Sequence, residues 1–597
     1  MTINAWLTPN DISSFVTTAE PDRAVAARII AALYSDRRQP AFQSYLNTHG
    51  LRIALHAAGC TDRVMEAIRE RYQDNALEMI VQRPFEMIDR VKGVDFVKAL
   101  GLWRRLSPNR ADRRALARFA ITDRLQKRRR FGHASSAKAG LISDIRNSLI
   151  LSSESLEAAA AELESAGSIV SCQANGQWHL AQRDAFDAES VIATQIHQRL
   201  GRASQTDQFS VMIALNDVGL SKPDQSQVHA TELAISNRVS MITGGPGTGK
   251  SSILKAIATI AREHNPECRI KLVSLAARVA RAIGAKAGVD ADTIHAALGC
   301  QPGQGNTYGP HNPLPIDLLF VEEAFMIGNA LFADLLKALP LKCQIVIIGD
   351  PEQLPPVMEG MPAEAIIRSG AVPVARLTIN HRSEARDIPA AGKRVMLGRP
   401  LISTQNLDIR AVPSTEAALD AVKSAFKQAI STGGTVQILT AIHDGPLGTT
   451  SINKLISGRE KIDVGDTVMQ TVNDRERAFF NGELATAMRF DSSGLLVQKD
   501  DGTIVRCSPR QVQDLVPAWA ISYHKSQGLE YDVVINVVSS LHRHMLGQNL
   551  LNVGITRAKK RCVIIDHGNA MRTLSTANQP GKRSTLLSHL LKQKCQR

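Results

Sequence analysis

The stretch Gly244-Gly245-Pro246-Gly247-Thr248-Gly249-Lys250-Ser251 decides the fold, because it fits the phosphate-loop pattern G-x-x-x-x-G-K-[ST]. It stands between an apolar run, Val239 to Thr243, and a helix-forming run, Ile253 to Ala261. A phosphate loop must join a strand to a helix start, since backbone N–H groups and the helix dipole together hold the phosphates. The pattern predicts a nucleoside triphosphate on residues 244–252, with Lys250 on the β- and γ-phosphates and Ser251 on Mg²⁺.

Composition narrows the class of protein. The 597 residues include 71 Lys plus Arg against 57 Asp plus Glu, a formal charge of +14. This surplus favours a polyanionic partner, most often a nucleic acid. The eight cysteines show no metal-ligand spacing, and the sequence shows no signal peptide and no apolar run of about 18 residues. We therefore expect a soluble cytoplasmic protein without membrane contact.

The N-terminal third has the three- and four-residue apolar spacing of helices. Within it, Arg83 to Phe96 resembles a helix–hairpin–helix element, in which a glycine turn presents N–H groups to a phosphate. Only Gly93 is present, and a plain helix–turn–helix connection explains the stretch as well. Arg104 to Arg130 holds eleven Lys or Arg against two Asp, which either a solvated helix face or a phosphate contact explains.

A helix followed by a hairpin is predicted between Ser152 and Leu180. The alanine-rich run Glu154 to Ser165 ends at Gly167, and two β-type runs follow around a turn at Asn175-Gly176. This arrangement favours a winged-helix module. Such a module either binds DNA or only packs against the rest of the protein, and the sequence leaves both roles open.

From about residue 205, apolar strands alternate with helices, which indicates parallel sheets with crossover helices and an α/β fold class. The first group of predicted strands is Val239–Thr243, Ile270–Ser274, Leu318–Val321 and Gln344–Ile348. The second group is Val436–Thr440, Val533–Val538 and Cys562–Ile565. Residues 461–514 form short alternating runs with Gly and Asp turns, which predicts a small β-barrel-like insertion.

Acidic and amide side chains follow two of these buried strands. Glu322 and Glu323 come directly after Leu318–Val321, where one carboxylate can hold Mg²⁺ and its neighbour can activate the attacking water. Gln353 follows the next strand, where a glutamine can sense the γ-phosphate and couple it to a neighbouring domain. These residues are the predicted catalytic centre, together with Lys250.

Two arginines are candidates for contacting the γ-phosphoryl group across a cleft. Negative charge spreads over the γ-phosphoryl oxygens in the transition state, and a planar guanidinium suits that bidentate task. Arg382 ends the segment Leu377-Thr378-Ile379-Asn380-His381-Arg382, and Arg557 ends the segment Val553-Gly554-Ile555-Thr556-Arg557. Taken singly, each arginine is better explained as a surface ion-pair partner.

Taken in order, the motifs resemble those of the RecD-like branch of superfamily 1 helicases over roughly residues 205–570. The segments that carry the resemblance are the phosphate loop, Thr293–His295 with Leu298–Gly299, Gly349–Pro356, Gln437–Thr440 with Gly445–Gly448, Gly465–Gln470 with Phe480–Glu483, Ser522–Gly528 and Gly554–Arg557. The resemblance implies two RecA-like motor domains with an SH3-like insertion. It also implies an ATP-dependent helicase of DNA repair or recombination that moves 5′ to 3′ on single-stranded DNA and opens duplex junctions.

The resemblance also assigns roles to single residues. Gln227, seventeen residues before Gly244, corresponds to the glutamine that reads adenine in this family. The residues that would contact DNA are Arg278, Thr293, His295, His524 and Lys525. Two departures stand out: Glu322 replaces the usual aspartate of motif II, and Leu275-Ala276-Ala277-Arg278 replaces a Pro-Thr-Gly-Arg segment.

The predicted domains follow from these boundaries. They are a helical region at 1–135, a winged-helix module at 136–204, motor domains at 205–375 and at 376–460 with 515–597, and the SH3-like insertion at 461–514. Two other functions remain open: a RecD-type subunit of a multi-chain helicase–nuclease, and a nucleic-acid-binding protein that uses ATP as a switch. Protein partners are unknown, and RNA as the track is not excluded.

Overall fold

The computed structural model describes residues 61–73, 79, 83–88, 90–106, 113–149, 151–204, 207–220, 222–301, 303–379, 385–459, 461–474, 476–576 and 583–596. The chain divides into two compact units, Met1–Phe186 and Asp187–Arg597. Among the described residues, no helix is both long enough and apolar enough to cross a membrane.

The first unit combines helices with one small antiparallel sheet. Its helices are Asp62–Tyr72, Phe96–Leu106, Arg113–Arg130, Lys138–Ser148 and Ser153–Ser165, with a 3₁₀ turn at Pro84–Met87. Its strands are β1 (Ser136–Ala137), β2 (Ile169–Ala174) and β3 (Gln177–Gln182), in the order β1-β3-β2. The turn residues Asn175 and Gly176 both have positive φ, as the favoured two-residue hairpin turn requires.

Helix Ser153–Ser165, which precedes the hairpin, carries only negative charge. Ser152 caps its N-terminus by accepting a hydrogen bond from the Ser155 N–H at 3.1 Å. Its charged residues are Glu154, Glu157, Glu162 and Glu164. Arg114 and Arg118 pair with Glu162, and Lys138 pairs with Glu157, so neighbouring cations offset part of this charge.

A parallel six-stranded sheet forms the core of what we call the first lobe of the second unit. Its strands are β4 (Val239–Gly244), β5 (Ile270–Ser274), β6 (Asp290–Thr293), β7 (Leu318–Val321), β8 (Gln344–Gly349) and β9 (Val374–Leu377), in the order β6-β5-β7-β8-β4-β9. Its helices are Gln208–Asp217, Gln225–Ser236, Lys250–His264, Ala277–Ala287, Ile294–Ala297, Asn329–Lys337 and Pro362–Ser369, together with the part of helix Arg183–His197 from residue 187 onward. The four predicted strands are confirmed, and β6 and β9 extend the sheet at its two edges.

A second parallel sheet forms the second lobe. Its strands are β10 (Leu407–Val412), β11 (Val436–Thr440), β17 (Ala520–Ser522), β18 (Tyr531–Ser539) and β19 (Ala558–His567), in the order β10-β19-β18-β11-β17. Its helices are Asp387–Met396, Thr415–Ser431, Thr449–Ser457, Gln548–Thr556 and Ala570–Thr576. The central strands are buried on both faces, as expected for a sheet covered by crossover helices.

An antiparallel sheet is inserted between β11 and β17, where the sequence predicted it. This inserted sheet consists of β12 (Thr467–Gln470), β13 (Leu484–Asp491), β14 (Gly494–Lys499), β15 (Ile504–Cys507) and β16 (Leu515–Pro517), in the order β15-β14-β13-β12-β16. It has its own small core of Val468, Phe479, Leu495 and Val497. Its last strand ends at Pro517, slightly beyond the predicted boundary at 514.

The C-terminal helix Leu587–Gln596 lies on the first lobe, although the predicted boundaries assign 515–597 to the second motor domain. Leu587 and Leu591 are fully buried in the apolar core of the first lobe. Ile192 and Ile196, which the sequence assigned to the winged-helix module, lie in the same core. The pairing is long-range, so no local sequence pattern announces it.

Candidate active site

The phosphate loop connects the fully buried strand β4 to helix Lys250–His264. Gly247 and Gly249 have φ of +75° and +87°, a conformation that side-chain-bearing residues rarely adopt. A Cβ on Gly249 would lie only 2.6 Å from Nε2 of Gln227. The positive φ angles therefore favour glycine at positions 247 and 249, and the close contact with Gln227 leaves no room for a side chain at 249.

Lys250 lies folded over its own loop. Its Nζ donates hydrogen bonds to the carbonyls of Gly244 at 2.7 Å and Gly245 at 2.8 Å. Ser251 and Ser252 follow in the first helical turn, with both side chains half-buried. A triphosphate on the loop offers Lys250 anionic oxygens in place of these two carbonyls.

Gln227 supports the loop from below and is fully buried. Its Nε2 donates to the Thr248 carbonyl at 3.2 Å, and its Oε1 accepts from the Asp224 N–H at 3.1 Å. The second contact belongs to a capping box at the start of helix Gln225–Ser236. Both ends of the amide are thus in use, and the adenine-reading role of Gln227 stays a prediction.

Two adjacent carboxylates follow β7 and face the loop. Burial, and after it the negative charge of Glu323, raises the pKa of Glu322 to about 8, against the lowering effect of Lys250. Within the described part of the chain, Oε2 of Glu322 is buried without a hydrogen-bond partner. Glu323 has a φ of +54°, so this residue is held in a left-handed conformation that costs backbone energy.

The loop after β8 completes the acidic cluster. Asp350 is buried, and its Oδ1 accepts from the Glu352 N–H at 2.9 Å. Gln353 is also buried, with its Nε2 3.5 Å from Oε1 of Glu323. Burial raises the pKa of Asp350 and of Glu323, whereas the positive charge of Lys250 lowers both.

Arg557 reaches this cluster from the second lobe. It caps the C-terminus of helix Gln548–Thr556, and its side chain is 4% exposed. Its positive charge lowers the pKa of Glu323 and of Asp350, the same two carboxylates that Lys250 acts on. Its Nη1 donates to the Leu529 carbonyl at 3.3 Å, which leaves Nε without a hydrogen bond among the described residues. Arg382, the other predicted finger, lies outside the described residues.

The predicted DNA-contacting residues of the first lobe lie after β5 and β6. Arg278, at the start of helix Ala277–Ala287, forms an ion pair with Asp500 of the inserted sheet. Thr293 caps helix Ile294–Ala297 by accepting from the Ala296 N–H at 3.1 Å, so its hydroxyl has a structural role. His295 is exposed. Their contacts with DNA stay predictions.

His524 and Lys525 follow β17 in the second lobe. Burial lowers the pKa of both side chains, which favours a neutral His524. The Lys525 Nζ donates to Oδ1 of Asn481 at 2.5 Å. Lys525 also lines a cavity of about 640 Å³ between the second lobe and the inserted sheet.

Comparison with known proteins agrees with this geometry. A family model described as an AAA domain matches residues 227–359, and one described as a UvrD-like helicase C-terminal domain matches residues 517–565. The ATP-dependent RecD2 DNA helicase of Deinococcus radiodurans is 27% identical over 569 residues, which are 90% of this chain and 78% of that protein. The chain is thus similar to RecD-like helicases over most of its length.

Further relatives are subunits of larger enzymes. The RecBCD enzyme subunit RecD of Mycolicibacterium smegmatis is 27% identical over 393 residues, which are 57% of this chain and 70% of that protein. A crystal structure of Bacteroides Pif1 bound to ssDNA is 20% identical, covering 57% of this chain and 92% of that one, with a TM-score of 0.36. The relatives thus include one protein named as a DNA helicase and one named as a subunit of the RecBCD enzyme.

Sequence reasoning missed the side chains that join the two lobes. Asn549 Nδ2 donates to the carbonyls of Glu352 at 3.1 Å and Gln353 at 2.8 Å, and Asn552 Nδ2 donates to Glu352 at 3.1 Å. Asparagines three residues apart share one helix face. That spacing, directly before Arg557 of the RecD-like motif, is a signal that could have pointed to them.

Sequence reasoning also missed a contact between the first lobe and the inserted sheet. The Arg281 guanidinium lies 3.9 Å from the ring centre of Phe480, and its Nη2 lies 2.8 Å from Oε1 of Glu483. Arg281 stands one helical turn after Arg278, so both arginines of helix Ala277–Ala287 face the inserted sheet. Three basic residues that line the 640 Å³ cavity together with Lys525 were missed as well. They are His443, Lys454 and Arg459.

Proposed function

We propose that the chain is an ATP-driven helicase that moves 5′ to 3′ along single-stranded DNA and opens duplex junctions. The observation that carries the proposal is the shared target of two cations from different lobes. The positive charges of Lys250 and Arg557 both lower the pKa of the half-buried Glu323 and of the buried Asp350. A site built from two lobes changes when they separate, so nucleotide binding and lobe movement are linked.

On this proposal, ATP binds to the phosphate loop, and Lys250 exchanges its two backbone carbonyls for phosphate oxygens. Ser251 and Glu322 would hold Mg²⁺, which when bound supplies positive charge to the phosphate oxygens. The unpartnered buried oxygen of Glu322 supports this, because such an oxygen is costly unless a cation or a donor meets it. Glutamate is one methylene longer than aspartate, and the carboxylate of Glu322 still lies in the acidic cluster beside Glu323 and Lys250.

Glu323 is the candidate general base for the attacking water. Burial raises its pKa, which makes the carboxylate a better proton acceptor. Gln353 lies beside it and orients its carboxylate, while Arg557 would stabilise the charge that develops on the γ-phosphoryl oxygens. After cleavage the γ-phosphate leaves as inorganic phosphate and takes its charge with it, so the second lobe would lose an attraction that held it to the first.

The nucleic-acid track would run over the carboxyl ends of both parallel sheets, where β6 ends at Thr293 and is followed by His295, and where β17 is followed by His524 and Lys525. The formal charge of +14 favours a phosphate backbone as the partner. The relative from D. radiodurans is named a DNA helicase, which favours DNA over RNA. The 5′-to-3′ direction rests on the RecD-like resemblance.

We further propose that the two parallel sheets are RecA-like motor domains and that the inserted sheet is SH3-like. The parallel order with a phosphate loop after β4 supports the first assignment, and the small separate core of the inserted sheet supports the second. In the first unit, we propose that the helix Ser153–Ser165 and the hairpin of β2 and β3 form a winged-helix module, which either binds DNA or packs against the rest of the protein. A cytoplasmic location fits a DNA-directed motor.

Strand displacement tests the proposal most directly. Two duplexes that differ only in carrying a 5′ or a 3′ single-stranded tail are incubated with the protein and ATP. We expect displacement from the 5′-tailed duplex and about tenfold less from the 3′-tailed one, since a motor of fixed direction enters only one of them. The opposite preference would refute the direction, and ATP turnover without any displacement would favour an ATP-switched binding protein.

The RecD subunits among the relatives favour a second candidate, a motor that works inside a multi-chain enzyme. Gel filtration of the isolated chain, followed by the same displacement assay on the eluted peak, separates the two. Displacement by a monomer peak supports a free-standing helicase. Displacement that appears only when cell extract is added supports the subunit.

A further inference from the structure

The C-terminal segment 583–596 follows the second lobe in sequence but packs on the first. Leu587 and Leu591 are fully buried there. Directly before them, Arg583 is half-buried and its guanidinium donates to three backbone carbonyls. They belong to Pro356 at 2.6 Å, Met358 at 2.9 Å and Gly360 at 3.2 Å. All three carbonyls lie on the loop that begins at Asp350.

The same loop is held from its other side by Asn329. The Asn329 N–H donates to the Glu359 carbonyl at 3.1 Å. At Gly360, where φ is +86°, an added Cβ would lie 2.1 Å from the Asn329 side chain. Backbone and side chain of Asn329 thus leave this end of the loop little freedom.

A buried carboxylate joins these two supports. Glu189 accepts hydrogen bonds from Asn329 Nδ2 at 3.0 Å, from the Leu586 N–H at 2.8 Å and from the Thr585 hydroxyl. It therefore ties the start of the C-terminal helix to the residue that grips Gly360. Within this arrangement, the hydrogen bonds of Arg583 are the ones that connect the C-terminal segment directly to the loop.

The supported loop carries the groups that sense the nucleotide. At its start, Gln353 faces Glu323, and the carbonyls of Glu352 and Gln353 accept from the second lobe. Side chains at its far end, Val357 and Met358, are 73% and 64% exposed. Arg583 and Asn329 fix the backbone at residues 356–360, shortly after Gln353, so little freedom remains for Gln353 beside Glu323.

We infer that Arg583 is a positioning residue: it holds the loop 350–360 so that Gln353 stays against Glu323 and nucleic-acid binding is coupled to ATP turnover. This inference rests on the proposed function. A purely structural arginine would lower the stability of the protein without affecting turnover through Gln353. The two roles therefore differ in what happens when Gln353 is removed first.

A double-mutant cycle tests the inference on the full-length chain. ATP turnover is measured with and without single-stranded DNA for the wild type, Arg583→Ala, Gln353→Ala and the double variant. We expect Arg583→Ala to lower the DNA-stimulated kcat roughly tenfold, the size of effect that a lost charged hydrogen bond produces. We expect its KM for ATP to change less than about twofold, because the phosphate loop is untouched. The double variant should match Gln353→Ala.

Lys592→Ala is the matched control, because Lys592 is an exposed cation on the same C-terminal helix. It should behave as the wild type. If Arg583→Ala does not fold, Arg583→Lys replaces it in the cycle, since lysine keeps the charge but loses the planar fork that reaches three carbonyls.

Unchanged DNA-stimulated turnover in the Arg583 variant would overturn the inference, as would an effect that multiplies with that of Gln353→Ala. A wild type that shows no DNA-stimulated turnover would instead overturn the proposed function, and this inference with it.

Discussion

At the scale of single residues, Lys250 has the most specific expected effect. Its charge lowers the pKa of Glu322, Glu323 and Asp350, and its Nζ lies where phosphates are expected. We predict that Lys250→Ala lowers ATP turnover at least about a hundredfold, the size typical for a removed transition-state cation. Affinity for single-stranded DNA, measured by fluorescence anisotropy, should stay within about twofold.

Lys255→Ala controls for a general loss of charge, because Lys255 is exposed on the same helix, one turn beyond the loop. It should leave both quantities unchanged. Unwinding that survives in Lys250→Ala would contradict the assignment of a motor to this loop.

The role of a side chain was predictable from the sequence where that role depends on residues close to it in the chain. The phosphate loop is local, so its spacing alone placed Lys250 at the end of a buried strand. Gln227 and Thr293 show where that reasoning stops. Their side chains cap helices or brace a loop, and these partners become visible only when distant backbone segments meet.

At the scale of elements, helix Gln548–Thr556 joins the lobes. It presents Asn549 and Asn552 to the Glu352 and Gln353 carbonyls and ends at Arg557. We predict that Asn549→Ala combined with Asn552→Ala lowers DNA-stimulated ATP turnover roughly tenfold. The lost hydrogen bonds are worth about 1 kcal/mol each, and the finger arginine is positioned by the same helix. Steady-state ATPase kinetics with saturating DNA measures this.

Lys559→Ala, an exposed change just beyond the helix, is the control and should have no effect on turnover. A doubly substituted protein with normal DNA-stimulated turnover would show that the lobes are coupled by another element.

The predicted strands of the two sheets were largely right because each is an apolar run bounded by turns, a pattern that the sequence carries locally. The edge strands β6, β9, β10 and β17 were missed, since each is short or only partly buried and its pairing is set by the neighbouring strand. The C-terminal helix was assigned to the wrong partner for a similar reason. Its apolar residues fit any core, and only the folded chain decides which one buries Leu587.

At the scale of the whole second unit, the inserted sheet touches both lobes. Asn481 bonds Lys525 of the second lobe, and Arg281 of the first lobe lies over Phe480 and pairs with Glu483. A nucleotide-driven movement of one lobe therefore changes the surroundings of the inserted sheet. Lys525, which we propose contacts the DNA strand, therefore lies where the second lobe meets the inserted sheet.

The charge of the whole chain makes the strength of DNA binding depend on salt. Each single-strand phosphate that the protein neutralises steepens the plot of log K against log salt by about 0.7. We predict a steep slope for the wild type and a slope shallower by about 0.7 for Lys525→Ala, since that change removes one cation from the track. Titrations by fluorescence anisotropy between 50 and 200 mM salt, a range of about fourfold, resolve the difference. Lys592→Ala removes an equal charge away from the proposed track, so an equal change of slope in this variant would mean that net charge, and not a contact at Lys525, sets the salt dependence.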